Sequence, residues 1–138
     1  MTALPAVHLA ATWFMVGLIW TVQVVHYPLF HAVGAARFPQ YGAGHTRRIA
    51  ALLVVPAAVE IVTAALLFAL EPNILTFAAG ALLAAIWLMT ALVQGPTHGH
   101  LARGYDERTV SRLVHTNWWR TAAWTLRGAL AVPLVLFN

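Results

Sequence analysis

Cysteine and lysine are absent from the 138 residues, and charged residues of any kind are scarce. Without cysteine, the chain can form neither a disulfide framework nor a thiolate metal site, so thiols say nothing about its redox compartment. Only 9% of the residues are charged and 61% are hydrophobic, whereas a soluble domain is about 25% charged and about 45 to 50% apolar. The composition therefore does not suit water as the main solvent.

The basic residues are all arginines, and the net charge is +4. A nucleic-acid-binding protein gathers basic and aromatic residues on a polar chain. Here the arginines stand beside or inside apolar runs, which argues against a nucleic-acid partner.

Four apolar segments are long enough to cross a bilayer, whose hydrocarbon core of ~30 Å takes about 20 helical residues. They cover approximately residues 6–27, 49–70, 74–94 and 110–137. The connection Glu71-Pro72-Asn73 has turn chemistry, so the second and third segments should run antiparallel. The sequence predicts an all-α, polytopic membrane protein with one domain, residues 1–138, folded as an antiparallel four-helix transmembrane bundle.

The two longer loops carry the arginines that predict the orientation. The first of these loops contains Arg37, Arg47 and Arg48, and the second contains Arg103, Arg108 and Arg112. Cytoplasmic loops are enriched in such residues. We therefore expect both loops in the cytoplasm and both termini outside, in a bacterial inner membrane. The lipid bilayer would then be the main partner, with a homo-oligomer or a larger membrane complex as further candidates.

Glu60 and Arg127 stand near the middle of the second and fourth segments. A lone charge at that depth costs about 2.5 to 3.5 kcal/mol on insertion scales, so the two side chains should form an ion pair inside the bundle. With Arg48 and Arg120 they are candidate catalytic residues. The alternative is a structural lock between two helices.

Four histidines fall at four predicted helix ends that share one depth: His26, His45, His98 and His115. Imidazole is the commonest side-chain metal ligand and suits Fe, Cu or Zn, although no diagnostic spacing such as HExxH is present. Interfacial histidines that bond loops and lipid headgroups are the alternative.

Other polar and aromatic residues share the predicted inward faces. The amide side chains could orient the metal or haem ligands, and the tryptophans could line the site of a flat cofactor. The alternative for the tryptophans is packing within the bundle. These candidate cofactor-binding residues are Gln23, Gln94, Asn117, Trp20 and Trp124.

Through a few residues spread in order over most of its length, the chain distantly resembles the small four-helix, haem-dependent protoporphyrinogen oxidases of bacteria. The residues that carry the resemblance are His8 with the run Trp13-Phe14-Met15-Val16-Gly17-Leu18, the pair Arg48 and Pro56, and Asn117 with Thr121. The resemblance implies haem bound through His8, while the lysine of that family's third helix has no counterpart here. The chain is also similar to other small bacterial membrane proteins, a likeness that implies no activity; it rests on Gln23-x-x-His26-Tyr27-Pro28-Leu29-Phe30, His45-x-x-Arg48, Glu60, Pro96-x-His98 and Asn117-Trp118-x-Arg120-Thr121.

These residues together predict a membrane-embedded oxidoreductase that binds haem or a transition metal near the cytoplasmic leaflet and acts on a small lipophilic substrate. Two other functions would use the same residues. One is a non-enzymatic accessory subunit of a respiratory or photosynthetic complex, and the other is a small oligomeric channel or transporter.

Overall fold

The computed structural model describes residues 3–136, and every regular element in that range is helical. The five α-helices, in chain order, are α1 (Ala3–Thr21), α2 (Phe38–Leu70), α3 (Ile74–Met89), α4 (Gly95–Leu101) and α5 (Glu107–Leu136). The prediction of an all-helical chain is confirmed for this range.

Three helical stretches are long and apolar enough to span a membrane: Ala3–Ala32, Phe38–Leu70 and Ile74–Leu101. The first and third are longer than the predicted spans because helical turns continue beyond α1 and α3, and the second begins at Phe38 instead of residue 49. The fourth predicted span corresponds to α5, which is less apolar because it carries Arg120 and Arg127. Its predicted last residue, 137, lies outside the described residues.

Two π-helical turns, Val22–His26 and Thr90–Gln94, widen the chain where α1 and α3 end. In each, a backbone N–H donates to the carbonyl five residues earlier, from Tyr27 to Val22 and from Gly95 to Thr90. A proline follows at once in both places, at positions 28 and 96. Since proline lacks a backbone donor and its ring clashes with the carbonyl four residues back, it disfavours the ordinary α-helical turn there. Such turns often carry functional side chains.

The starts of α3 and α5 have side-chain caps. Asn73 accepts hydrogen bonds from the backbone N–H groups of Leu75 and Thr76, and the Thr76 hydroxyl accepts one from Asn73. At the start of α5, the Asp106 carboxylate accepts from both the backbone and the hydroxyl of Thr109. These bonds hold the pKa of the Asp106 carboxyl below its ordinary value.

α1 packs mainly against α2 and α5, and α3 packs against α5. The α1–α5 approach is close at Gly128, where an added Cβ would lie 3.1 Å from Val16 Cγ2. α2 and α3 contact each other less than any of these pairs do. A cavity therefore remains between them.

Candidate functional site

The buried ion pair joins α2 to α5. Arg127 Nε donates to Glu60 Oε1 over 2.8 Å, and both side chains have no exposed surface. Arg127 also donates from Nη1 to the Ala79 carbonyl of α3. The predicted ion pair is confirmed, and the guanidinium links three helices.

His8 of α1 completes this network as a neutral imidazole. The Thr63 hydroxyl donates to the Val59 carbonyl over 2.7 Å, so its oxygen accepts from His8 Nδ1 over 2.7 Å. The other ring nitrogen, Nε2, then accepts from Arg127 Nη2 over 3.3 Å. Both ring nitrogens of His8 are occupied, and the imidazole is 1% exposed.

A second cluster, here called the imidazole cluster, gathers His26, His45, His98 and Tyr27. His26 Nε2 and His45 Nδ1 lie 2.7 Å apart, and the Tyr27 hydroxyl lies 2.9 Å from His98 Nε2. The rings of His45 and His98 are 5.2 Å apart between centroids. Two of the four residues come from the turn that follows α1, one from α2 and one from α4.

An amide chain leads from this end of the molecule into α5. Gln23 Nε2 donates to the Val114 carbonyl, and Asn117 Nδ2 donates to Gln23 Oε1 over 2.8 Å. Arg120 Nη1 donates to Asn117 Oδ1 over 2.9 Å. Asn117 is completely buried and Arg120 is 6% exposed, so these hydrogen-bonded amide side chains hold a buried guanidinium in place.

The lateral cavity, as we call the space between α2 and α3–α4, has a volume of about 920 Å³. Apolar side chains form most of its wall, and α5 contributes Arg120 and Trp124. The imidazole cluster reaches it through Tyr27 and His98. This volume lies within the range of about 300 to 1,000 Å³ that small-molecule sites usually have.

Trp124 connects the cavity to the ion pair. Its indole Nε1 lies 3.4 Å from each Glu60 carboxylate oxygen. Arg120 Cζ stands 5.4 Å from the centroid of the Trp124 ring, within cation–π distance. The Trp87 ring meets Trp124 edge-on at 6.4 Å, and both tryptophans line the cavity.

Three cavity-lining side chains carry a buried polar atom without a hydrogen-bond partner: Trp87 Nε1, Gln94 Oε1 and Arg120 Nε. Buried polar groups are nearly always bonded, and each exception requires an explanation. Arg120 also has no carboxylate within ion-pair distance among residues 3–136. The cavity wall thus offers two hydrogen-bond donors, Trp87 Nε1 and Arg120 Nε, and one acceptor, Gln94 Oε1, to a polar group of a bound molecule.

Several predicted site residues lie elsewhere. Arg48 is exposed on α2 and does not line the lateral cavity, and His115 is exposed and donates from Nδ1 to the Ser111 carbonyl. Trp20 is 41% exposed and donates to Thr125 Oγ1 on the outer side of α1 and α5. The inward face of α1 carries His8, Met15 and Ile19 instead, and Gln23 follows in the π-helical turn.

The fit of a metal or of haem can be judged from the donors. Within the described range no group of three or more His, Asp or Glu side chains is arranged to hold a metal ion. His26 and His45 point ring nitrogens at each other, and His8 has no free nitrogen to offer an iron. The described residues therefore offer no three-ligand metal group, and His8, as placed, does not fit the role of a haem ligand.

Sequence reasoning missed Arg47 and Thr116. Arg47 lines the lateral cavity, and its spacing of three, seven and eleven residues from Ala50, Val54 and Ala58, which also line it, is a helical signal that could have found it. The Thr116 hydroxyl accepts from Gln94 Nε2 over 3.0 Å. Nothing in the sequence marked that contact.

Comparison of the chain with protein-family models, curated protein sequences and solved structures gives no match.

Proposed function

We propose that the chain is an integral membrane protein, crossing the bilayer as an antiparallel four-helix bundle. We further propose that its lateral cavity binds a small lipophilic molecule with an anionic or strongly hydrogen-bond-accepting head. Three membrane-length apolar helices support the first part. So do large apolar side chains on the outer surface, among them Val55, Leu70, Ile74 and Leu92, each at least 66% exposed. Hydrocarbon, unlike water, solvates such a surface without cost.

One observation carries the second part: Arg120 lies buried in the wall of a large apolar cavity without a carboxylate partner in residues 3–136. A buried charge is costly unless it is paired and hydrogen-bonded. Its neighbours supply one amide oxygen, from Asn117, a hydrogen bond to the Tyr27 side chain and the face of the Trp124 ring, but no negative charge. An acceptor head, such as a carboxylate, would complete the coordination of the guanidinium. Trp87 Nε1 is a second donor in the same wall.

The way into the cavity favours a lipophilic ligand. The α2 wall includes Ala50, Val54, Ala58 and Ile61, and all four are exposed on the outer surface of the helices. In a membrane this surface faces acyl chains. A lipophilic molecule could therefore enter sideways between α2 and α3, with its tail in contact with lipid and its head at Arg120.

Redox chemistry on the bound molecule stays a prediction, as do the roles of accessory subunit and of oligomeric channel. The membrane part is tested by alkaline extraction, which should leave the protein in the membrane pellet, and by reporters at both termini. A reporter enzyme that is active only outside the cytoplasm should be active at both termini. Inactive reporters at the termini would contradict the predicted orientation.

The cavity is tested with 9,10-dibromostearic acid, whose bromines quench tryptophan fluorescence, in detergent solution. We expect saturable quenching from Trp87 and Trp124, and at least about tenfold weaker binding of the methyl ester, because a charged hydrogen bond contributes about 1.5 to 3 kcal/mol. Ala50→Phe should fill the cavity and weaken binding, whereas the neighbouring Ala51→Phe, outside the lining, should not. Equal quenching by acid and ester, with no difference between the two variants, would contradict the proposal.

A further inference from the structure

A second pocket, here called the basic pocket, lies between the end of α1 and the start of α2. Its volume is about 760 Å³. Its polar wall contains three arginines and two histidines, Arg37, Arg47, Arg48, His26 and His45, and includes no Asp or Glu. The positive charge in this wall is therefore not balanced from within.

The three arginines are available to a ligand. All are exposed, and none has a carboxylate within 4 Å in the described part of the chain, where the Glu60–Arg127 pair is the ion pair that occurs. Six of the eight arginines are exposed, and these three of them share one concave wall. Clustered guanidinium groups suit a phosphate, which they bind with two parallel hydrogen bonds each.

Beside these groups and Thr21, Gln40 and Tyr41, the wall has an apolar part that runs toward the middle of the helices. It includes Leu18, Val22 and Val25 of the first membrane-length helix, facing Ile49 and Leu52 of α2. Val25 and Leu52 are about half exposed, at 53% and 49%, so this wall is open to the surroundings of the bundle. A free phosphate ion would use only the arginines and leave this apolar wall unused.

We propose that the basic pocket binds an anionic phospholipid, with its phosphate at Arg37 and Arg48 and an acyl chain along Val25 and Leu52. Basic pockets between transmembrane helices on the cytoplasmic side are typical sites for anionic lipid headgroups. The inference rests on the membrane-spanning part of the proposed function, but not on the ligand of the lateral cavity. Arg47 lines both spaces, so the lipid would stand beside the entrance to that cavity.

The test is native mass spectrometry of the detergent-solubilised protein, titrated with phosphatidylglycerol or with phosphatidylcholine of the same acyl chains. We expect the wild-type protein to retain phosphatidylglycerol selectively, and millimolar inorganic phosphate not to displace it. The double variant Arg37→Gln/Arg48→Gln should bind about 30-fold more weakly, since each arginine near a membrane surface contributes roughly fivefold. Arg37→Lys/Arg48→Lys should bind more tightly than the glutamine variant, because the charge remains, and more weakly than the wild type, because an ammonium group cannot form the two parallel hydrogen bonds.

The matched control is Arg108→Gln/Arg112→Gln, which removes the same charge from exposed positions outside the pocket. It should leave the affinity unchanged, and circular dichroism should show unchanged helicity in all variants. Equal retention of the two lipids, an equal loss in both glutamine variants, or displacement by inorganic phosphate would overturn the proposal.

Dibromostearate binding, measured on Arg37→Gln/Arg48→Gln, separates the two proposals. That variant should still bind the acid, because neither arginine lines the lateral cavity. If the wild-type protein retains the two lipids equally but binds dibromostearic acid as expected, only the lipid site is refuted. Selective lipid retention without acid binding would refute the lateral-cavity proposal alone.

Discussion

Replacing one partner of the Glu60–Arg127 pair should destabilise the fold far more than replacing both. Both side chains are completely buried, and the Nε–Oε1 distance is 2.8 Å. Arg127→Met leaves the carboxylate with the Trp124 indole, at 3.4 Å, as its side-chain partner. Removing one member of a buried pair costs about 3 to 5 kcal/mol, because the other charge remains in a low-dielectric site. We expect each single variant, Glu60→Leu and Arg127→Met, to lose about that much free energy of unfolding.

The double variant Glu60→Leu/Arg127→Met should lose only about 1 to 3 kcal/mol, the usual cost of leaving buried polar groups without partners. Those groups are His8 Nε2, which accepts from Arg127, and Trp124 Nε1, which lies 3.4 Å from the Glu60 carboxylate oxygens. The two single losses should therefore not add, and the difference measures the coupling between the charges.

The assay is unfolding by a denaturing detergent, followed by circular dichroism on protein in mild micelles. Arg112→Met and Glu107→Leu are the controls, since both residues are exposed at the start of α5 and each substitution removes the same charge. They should change stability by less than about 0.5 kcal/mol. A double variant that loses the sum of the two single losses would refute the reasoning.

Three further predictions concern the amide chain and the helix ends. Asn117→Leu should cost about 2 to 3 kcal/mol of unfolding free energy in the same assay, because it leaves buried groups of Gln23 and Arg120 without partners. Asn73→Ala should cost about 1 kcal/mol through loss of the α3 cap, and an unchanged unfolding midpoint would contradict that reading. The lowered pKa of Asp106 means that its carboxylate stabilises the start of α5 above its ordinary pKa of 3.8, and that this contribution is lost as the pH falls through the lower folded value. Amide exchange at the first turn of α5 should accordingly speed up in acid relative to the other helices, and an unaltered ratio would argue against the cap.

The ion pair and the inward face of α5 could be predicted from sequence because the physical penalty is large. Charges in the middle of apolar runs have few places to go, and Glu60 and Arg127 meet as expected. The face formed by Asn117, Arg120, Trp124 and Arg127 is buried along its whole length. Helical periodicity and the cost of exposing polar groups to hydrocarbon point the same way there, so the pattern is unambiguous.

The inward face of α1 could not be predicted, because its tryptophans are amphipathic. Trp13 and Trp20 look like core residues by size, but both are more than 40% exposed. An indole can face lipid and still satisfy its N–H, as Trp20 does with Thr125. The resemblance to the haem-dependent oxidases implies that His8 binds a cofactor. The contact that holds His8 comes from Thr63, 55 residues further along the chain. The two π-helical turns also shift the helical register, the first at His26 and the second shortly before His98. A prediction that assumes an uninterrupted α-helix therefore gives the wrong direction for the side chains that follow each turn.

Stability and the candidate site depend on the same residues of α5, and this decides which variants can report on function. Trp124 lines the lateral cavity, touches the Glu60 carboxylate and lies against Arg120. A substitution there would alter the cavity, the ion pair and the guanidinium together, so lost binding could not be separated from lost folding. The opposite wall is different, because Ala50 and Ala58 line the cavity from an exposed face of α2 and belong to no polar network. Substitutions on that wall change the space available to a ligand and leave the buried charges in place. Binding that responds to the α2 wall, in a protein with unchanged unfolding, therefore locates the ligand in the cavity itself.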